Sequence, residues 1–154
     1  MANEVGEIVA SGDNITKGYW RDDVETGRFF RDSKLHTGDM AQVDADGFIY
    51  VQDRARDFIK TKGNRVSAKE LENVIAELAE VVEVAVIGIP HETLGEAIKA
   101  FVVLVRDAPL TEEDVRRQCA QKLPAFKIPE AVEFMASLPK NSAGKVLKPK
   151  LREQ

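Results

Sequence analysis

Apolar and polar residues alternate differently in the two parts of this chain. Before residue 54 the apolar residues occur in short runs, which predict a strand at residues 7–11 and a hairpin joining 41–44 to 48–52 across an Asp-Gly turn. Residues 20–36 are polar and irregular, and no helix is predicted there. The first part is therefore typical of a β-rich edge of a larger sheet.

Capping signals predict helices in the second part. Ser67 and Glu70 form a capping box, in which each side chain can satisfy a backbone amide of the first turn. Thr111 opens a second helix, and residues 148–152 are predicted to form a short third one. The apolar residues that recur at helical spacing are Leu71, Val74, Ile75 and Leu78 in the first helix, and Val115, Cys119 and Leu123 in the second.

Continuous apolar runs between these helices predict buried strands. They cover residues 58–60, 81–89, 97–105 and 131–135. Residues 54–154 are accordingly predicted to be a small α+β domain, with two helices packed on a short sheet. Residues 1–53 are predicted to be the incomplete, β-rich edge of a larger domain.

Composition narrows the classes of function. The 154 residues carry a net charge of -4 with a pI of about 5.3, which disfavours nucleic acid as the main partner. A single cysteine, Cys119, excludes an internal disulfide and suits a reducing cytoplasm, where we expect the protein to reside. One cysteine and two distant histidines give no zinc-type cluster. No signal peptide and no membrane span are predicted.

Three groups of residues could carry chemistry. Asp39 follows Thr-Gly, where its carboxylate could accept from paired hydroxyls or simply form a turn. Lys60 would share a strand face with Phe58, and Gly63 indicates either a turn with positive φ or a backbone that something else approaches closely. Lys145 follows a glycine bend, which could present it to a phosphate or leave it a plain surface lysine.

Taken in order, the segments resemble the later motifs of the adenylate-forming superfamily, which includes acyl-CoA synthetases, aryl-CoA ligases, firefly-type luciferases and the adenylation domains of peptide synthetases. They are residues 6–9 with 18–20, 36–39, 54–66 continuing to 72, 86–90 with 95–96, and 141–146. The amino acids at residues 58–63 and 141–145 resemble those of carboxylic-acid:CoA ligases more than those of peptide synthetase domains. Fatty acid metabolism is one process in which such ligases act.

The resemblance implies a reaction in two steps. A carboxylic acid and ATP first give an acyl-adenylate and pyrophosphate, and the thiol of coenzyme A then gives the thioester and AMP. Asp39 would bind the ribose hydroxyls, and Arg54 would contact the nucleotide near the ribose. Lys145 would be the catalytic residue of the first step, reaching the carboxylate and phosphate oxygens.

The resemblance also assigns the second step and the cofactors. Arg56 would be the hinge about which the smaller domain rotates, withdrawing Lys145. Gly63 would then lie beside the tunnel for the pantetheine of coenzyme A, and Lys60 would turn toward the adenylate. The family also uses Mg²⁺, whose glutamate belongs to a motif that this sequence lacks.

The sequence lacks the family's Ser/Thr/Gly-rich phosphate loop, so we expect the chain alone to be inactive. Two alternatives stay open: a non-catalytic remnant that docks a partner or binds coenzyme A weakly, and part of an adenylation domain that serves a carrier protein. Unpaired strand edges in residues 1–53 could also produce a dimer through truncation.

Overall fold

In a computed structural model of the protein, residues 4–153 are described, apart from the side chain of Arg56. The chain divides into two compact units, residues 1–56 and 57–154. Both helices and strands are present, which confirms the predicted α+β class. Among the described residues, no helix has the length and apolar composition needed to span a membrane.

The first unit is built around one long strand. Its elements are β1 (Val5–Ala10), α1 (Asp23–Phe29), β2 (Phe30–Arg31), β3 (Lys34–Val43) and β4 (Ile49–Arg54). β3 pairs antiparallel with each of the other three strands. The predicted strand and hairpin are confirmed, and β4 continues to Arg54.

The expectation that residues 20–36 contain no helix was wrong. α1 begins after Asp22, whose carboxylate accepts from the Glu25 amide at 2.9 Å and caps the helix. No residue of α1 is buried. The helix is therefore held by its cap and by local bonds, and it has no apolar stripe that a periodicity search could detect.

The first unit buries very little apolar surface. Among its described residues, Ala41 is the one fully buried hydrophobic residue. Its exposed large hydrophobic residues are Val5, Val9, Tyr19, Trp20, Val24, Val43, Phe48, Ile49, Tyr50 and Val51. Since burial of apolar surface is the main favourable term in folding, this unit gains little of its stability from a core of its own.

The second unit contains the helices and strands predicted for it and one further strand. They are β5 (Phe58–Thr61), β6 (Asn64–Ser67), α2 (Ala68–Ile75), β7 (Val81–His91), β8 (Gly95–Leu104), α3 (Glu112–Lys122), β9 (Ala131–Phe134) and α4 (Lys148–Leu151). The strand order is β6-β5-β8-β7, and β9 pairs parallel with β8. β6 was not predicted, because its residues Asn64 and Arg65 are polar.

Both faces of this sheet are covered. On one face α2 and α3 contribute Leu71, Ile75, Val115 and Cys119 to a cluster with Ile98, Ala100 and Val102 of β8. The alternate β8 residues Phe101 and Val103 join Leu138 and Leu151 in a second cluster. Residues 138–151, here called the C-terminal segment, thus cover the face that the helices leave open.

The N-caps of α2 and α3 lie at Ser67 and Thr111, as the sequence predicts. The Ser67 hydroxyl accepts from the Glu70 amide at 3.2 Å, as predicted. The Glu70 carboxylate contacts the Lys127 ammonium at 2.6 Å. At α3 the reciprocal box is complete between Thr111 and Asp114.

Candidate active site

The first unit brings together two residues that are predicted to bind the nucleotide. Asp39 of β3 and Arg54 of β4 are directly opposite across the strand pair. The Arg54 Nε lies 3.1 Å from the Asp39 Oδ1, and both side chains are partly exposed. A carboxylate and a guanidinium are therefore presented side by side, where both can reach one polar ligand.

The surroundings of Asp39 differ from the turn suggested by the sequence. The sequence suggests that residues 37–39 form a bend after a strand. In the structure these three residues lie within β3. Gly38 has φ +73°, and the pairing of β1 with β3 shifts between Glu7 and Val9. A glycine in the left-handed region allows this irregularity without ending the strand.

Glu7 of β1 holds this irregular stretch, and sequence reasoning missed it. Its Oε1 accepts from the Gly38 amide at 3.0 Å, and its Oε2 lies 3.0 Å from the His36 Nδ1. The hydrogen bond with His36 is the main reason why the pKa of Glu7 lies below its usual value. Nearby, the Thr37 hydroxyl donates to the Ile8 carbonyl at 2.8 Å, so β1 fixes the backbone before Asp39 at several points.

The second unit carries Lys60 and Gly63 on one hairpin. β5 and β6 are joined by Lys62 and Gly63, both with positive φ (51° and 75°). Of the two sequence-based explanations for Gly63, the turn with positive φ is confirmed. Apart from Gly63 itself and its two chain neighbours, no residue has an atom within 4 Å of the place where a Gly63 side chain would begin.

An open groove of about 560 Å³ lies along this hairpin. It is lined by Lys60, Gly63, Asn64, Arg65, Leu94 and Gly95. Lys60 and Arg65 are opposite each other across the strands. The groove is therefore cationic, which suits an anionic ligand.

Glu96 fixes the backbone of Lys60, and it too was missed as a site residue. Its Oε2 accepts from the Lys60 amide at 2.6 Å. A side chain at Gly88 would begin 2.7 Å from the Glu96 Oε1, so the glycine is what allows the carboxylate to keep this position. β7 continues to His91 and β8 starts at Gly95, so the loop between them is shorter than the predicted strand bounds 81–89 and 97–105 imply.

Lys145 stands on a rigid turn. The Asn141 Oδ1 accepts from the Lys145 amide at 2.9 Å, and the Asn141 amide donates to the Lys145 carbonyl at 2.9 Å. Gly144 has φ +78°, as the predicted glycine bend requires. The Lys145 side chain is exposed, and within the described part of the chain it makes no ion pair. The backbone is fixed while the ammonium remains available.

Two further predictions concern the hinge residue Arg56 and the binding of a metal ion. Arg56 belongs by its backbone to the 3-10 turn Ala55–Asp57, where the two units divide, but its side chain lies outside the described residues. Across residues 4–153 no cluster of three or more His, Cys, Asp or Glu side chains could hold a metal ion.

Comparison with known proteins shows which family the chain belongs to. Residues 70–145 match the family of AMP-binding enzyme C-terminal domains. The chain belongs to the adenylate-forming superfamily. A long-chain-fatty-acid–CoA ligase of Yersinia pestis is 42% identical over 149 residues, covering 97% of this chain and 26% of the ligase.

Solved structures of the superfamily agree with the fold. ATP-bound MatB of Rhodopseudomonas palustris is 38% identical with a TM-score of 0.90, over 99% of this chain and 31% of MatB. Amide bond synthetase McbA of Marinactinospora thermotolerans is 33% identical with a TM-score of 0.87, again over 99% of this chain and 31% of that structure. The chain thus corresponds to the C-terminal part of these enzymes and spans about a quarter to a third of their length.

Proposed function

We propose that this chain is the part of an ATP-dependent acyl-CoA synthetase that supplies the adenylation lysine and the residues for thioester formation. The single observation that carries the proposal is the exposed Lys145 on a backbone turn fixed by Asn141. A cation held in advance near developing negative charge needs little reorganisation during the reaction, which is the usual basis of electrostatic catalysis.

In the first step Lys145 neutralises charge on the acid carboxylate and the phosphate under attack. The carboxylate oxygen bonds to the α-phosphorus of ATP, and the bond from that phosphorus to pyrophosphate breaks. Asp39 accepts hydrogen bonds from the ribose hydroxyls, and Arg54 donates to the nucleotide beside them. Their side-by-side placement supports this role, because one ribose can reach both.

In the second step the groove beside β5 and β6 serves the thiol. The sulfur of coenzyme A attacks the acyl carbon of the adenylate, and AMP leaves. The open space over Gly63 leaves room for a narrow pantetheine chain, and the ammonium of Lys60 faces the anionic leaving group. Rotation at Arg56 exchanges the two sets of residues, and the division of the chain into units at this residue supports a hinge there.

The test uses this chain together with the remaining N-terminal portion of a synthetase of the same family. Lys145→Ala should lower carboxylate-dependent pyrophosphate exchange by about 100- to 1,000-fold, the usual effect of removing one preorganised electrostatic donor. Thioester formation from a supplied acyl-adenylate should be largely spared. Lys150→Ala, which removes another exposed lysine from the same segment, is the matched control.

Two results would contradict the proposal. One is normal pyrophosphate exchange in Lys145→Ala, and the other is an equal loss in both half-reactions. The 154-residue chain by itself should show no exchange, because the groups that would bind the triphosphate are absent from its sequence.

A second candidate concerns the acyl acceptor. The similarity to an amide bond synthetase favours testing an amine and a carrier-protein thiol beside coenzyme A in the reassembled enzyme. If no acceptor restores turnover while the chain binds another protein tightly, the chain is a non-catalytic docking module.

A further inference from the structure

One buried carboxylate has no part in the steps above. Among the described residues, Glu72 of α2 is the one charged residue that is buried. Its Oε1 accepts from the Val86 amide at 3.0 Å and lies 2.8 Å from the Lys148 ammonium. Both partners hold the same oxygen, so the carboxylate joins α2, β7 and α4.

The position of this contact is unusual in the fold. β7 is the last strand in the described sheet and pairs with β8 on one side, and the amide of Val86, which donates to Glu72, faces its outer edge. α2 packs on one face of the sheet, whereas Leu151 of α4 packs on the other. The ion pair between Glu72 and Lys148 therefore passes around the edge of β7 and connects the two layers.

The same contact lies at the base of the Lys145 turn. Lys140 and Val146 form a bridge across the turn, and the Leu147 amide donates to the Pro139 carbonyl at 2.8 Å. Lys148 follows directly. Lys140, on the other side of the turn, pairs with Glu83 of β7. The turn is thus held to β7 from both sides, and the Glu72 side is the more buried, with side-chain exposures of 11% for Glu72 and 18% for Lys148.

We infer that Glu72 is a positioning residue for Lys145, acting through Lys148 to fix the base of the turn that carries the adenylation lysine. The inference rests on the proposed function of Lys145. A carboxylate with little exposure is screened weakly by salt, so its hold on Lys148 persists at ordinary ionic strength. Without it, the ammonium of Lys148 loses its partner and the turn can open at its base.

Hydrogen exchange of the 154-residue chain gives a direct test. In Glu72→Gln and in Lys148→Met, the amides of Lys145 and Leu147 should exchange about tenfold faster, since local opening costs less. The amide of Met135, which donates to Val102 at 2.9 Å in the body of the second unit, should be unchanged. Lys148→Met leaves Glu72 to hold Val86, so it serves if Glu72→Gln fails to fold.

A second ion pair to helix α2 provides a matched control. Lys127 is as exposed as Lys148 (18%) and pairs with Glu70 of α2, but it lies outside the C-terminal segment. Lys127→Met should leave the exchange of Lys145 and Leu147 unchanged. If it accelerates them equally, or if Met135 accelerates together with them in Lys148→Met, Glu72 stabilises the unit as a whole and the inference is overturned.

Activity of the reassembled enzyme separates this inference from the proposed function. Glu72→Gln should lower the maximal rate of pyrophosphate exchange about tenfold while the KM for ATP is unchanged, since Lys145 is misplaced and ATP binding is not. If Glu72→Gln has a normal rate of pyrophosphate exchange while Lys145→Ala loses pyrophosphate exchange, the positioning role alone is overturned. Normal exchange in Lys145→Ala instead overturns the proposed function.

Discussion

Single side chains in this protein differ sharply in how far they are open to solvent. Lys145 and Lys60 are exposed, whereas Cys119 is fully buried between α3 and the sheet. Burial disfavours the charged thiolate, and it raises the pKa of the Cys119 thiol from 9.0 to about 11. The only cysteine is thus part of the core and is poorly suited to nucleophilic chemistry.

Cys119 therefore provides a probe of unfolding. At pH 8 the folded protein should react with iodoacetamide far more slowly than the chain in denaturant. In the folded state the reagent cannot reach the Cys119 sulfur, and little of the thiol is ionised to thiolate. Mass spectrometry of the labelled protein over time measures this difference. Labelling at the same rate in both states would contradict the burial of Cys119.

The raised pKa also predicts a loss of stability in alkali. A group whose pKa is raised by folding contributes stability that is complete below its unfolded value and is lost as pH rises through the folded value, here from 9.0 toward about 11.

The sequence suggests candidate site residues more completely than it suggests the groups that hold them in place. Asp39, Arg54, Lys60, Gly63 and Lys145 stand in motifs, and so do Glu7, Glu72 and Glu96, but a motif alone does not reveal the partner of a carboxylate. Glu7, Glu72 and Glu96 act through backbone amides on other strands, at partners as distant in sequence as Lys60 is from Glu96. Residue type and spacing carry no signal for such long-range pairing.

Among the elements, the contact of β1 with β3 depends on one ionised group. Glu7 accepts from Gly38 and contacts His36, and its pKa is lowered chiefly by the bond with His36. A group with a lowered folded pKa stabilises the protein above its unfolded pKa, and this contribution is lost as pH falls through the folded value. The window therefore lies below the ordinary value of 4.5.

An NMR titration from pH 7 downward tests this contact. The Gly38 amide resonance should shift with a midpoint below 4.5, as the Glu7 carboxylate takes up a proton and its hydrogen bond weakens. In Glu7→Gln this shift should disappear. A midpoint above 4.5 would mean that the carboxylate gains nothing from its neighbours in the folded state.

Element prediction succeeded where burial is periodic and failed where structure is local. α2, α3, β7 and β8 have apolar faces, and their sequence patterns predict them. α1 buries no residue, and β6 begins with polar residues, so neither has a pattern to detect. A cap at Asp22 and a turn at Lys62 and Gly63 form them instead.

At the scale of the whole molecule, the two units are unequal in apolar burial. The first has Ala41 as its one fully buried hydrophobic residue among those described, whereas the second has two apolar clusters. β4 pairs with β3 and exposes Ile49, Tyr50 and Val51. An exposed apolar edge strand is a template for pairing with another chain.

We expect the 154-residue chain to self-associate through this edge. Its mass by light scattering should rise with concentration toward a dimer, and Val51→Lys should abolish the rise. Val82→Lys is the matched control, since Val82 is similarly exposed in the second unit (58%, against 63% for Val51). A monomer at every concentration, or equal effects of both substitutions, would exclude this mode of association.

Gly88 imposes a condition on anyone who transplants the Lys60 hairpin into another scaffold. Even a methyl group at this position would begin 2.8 Å from the carboxyl carbon of Glu96 and 3.0 Å from the Ile59 Cγ2. Since that carboxyl group ends a flexible side chain, a larger residue at position 88 should displace it, and Lys60 should then lose its backbone tether.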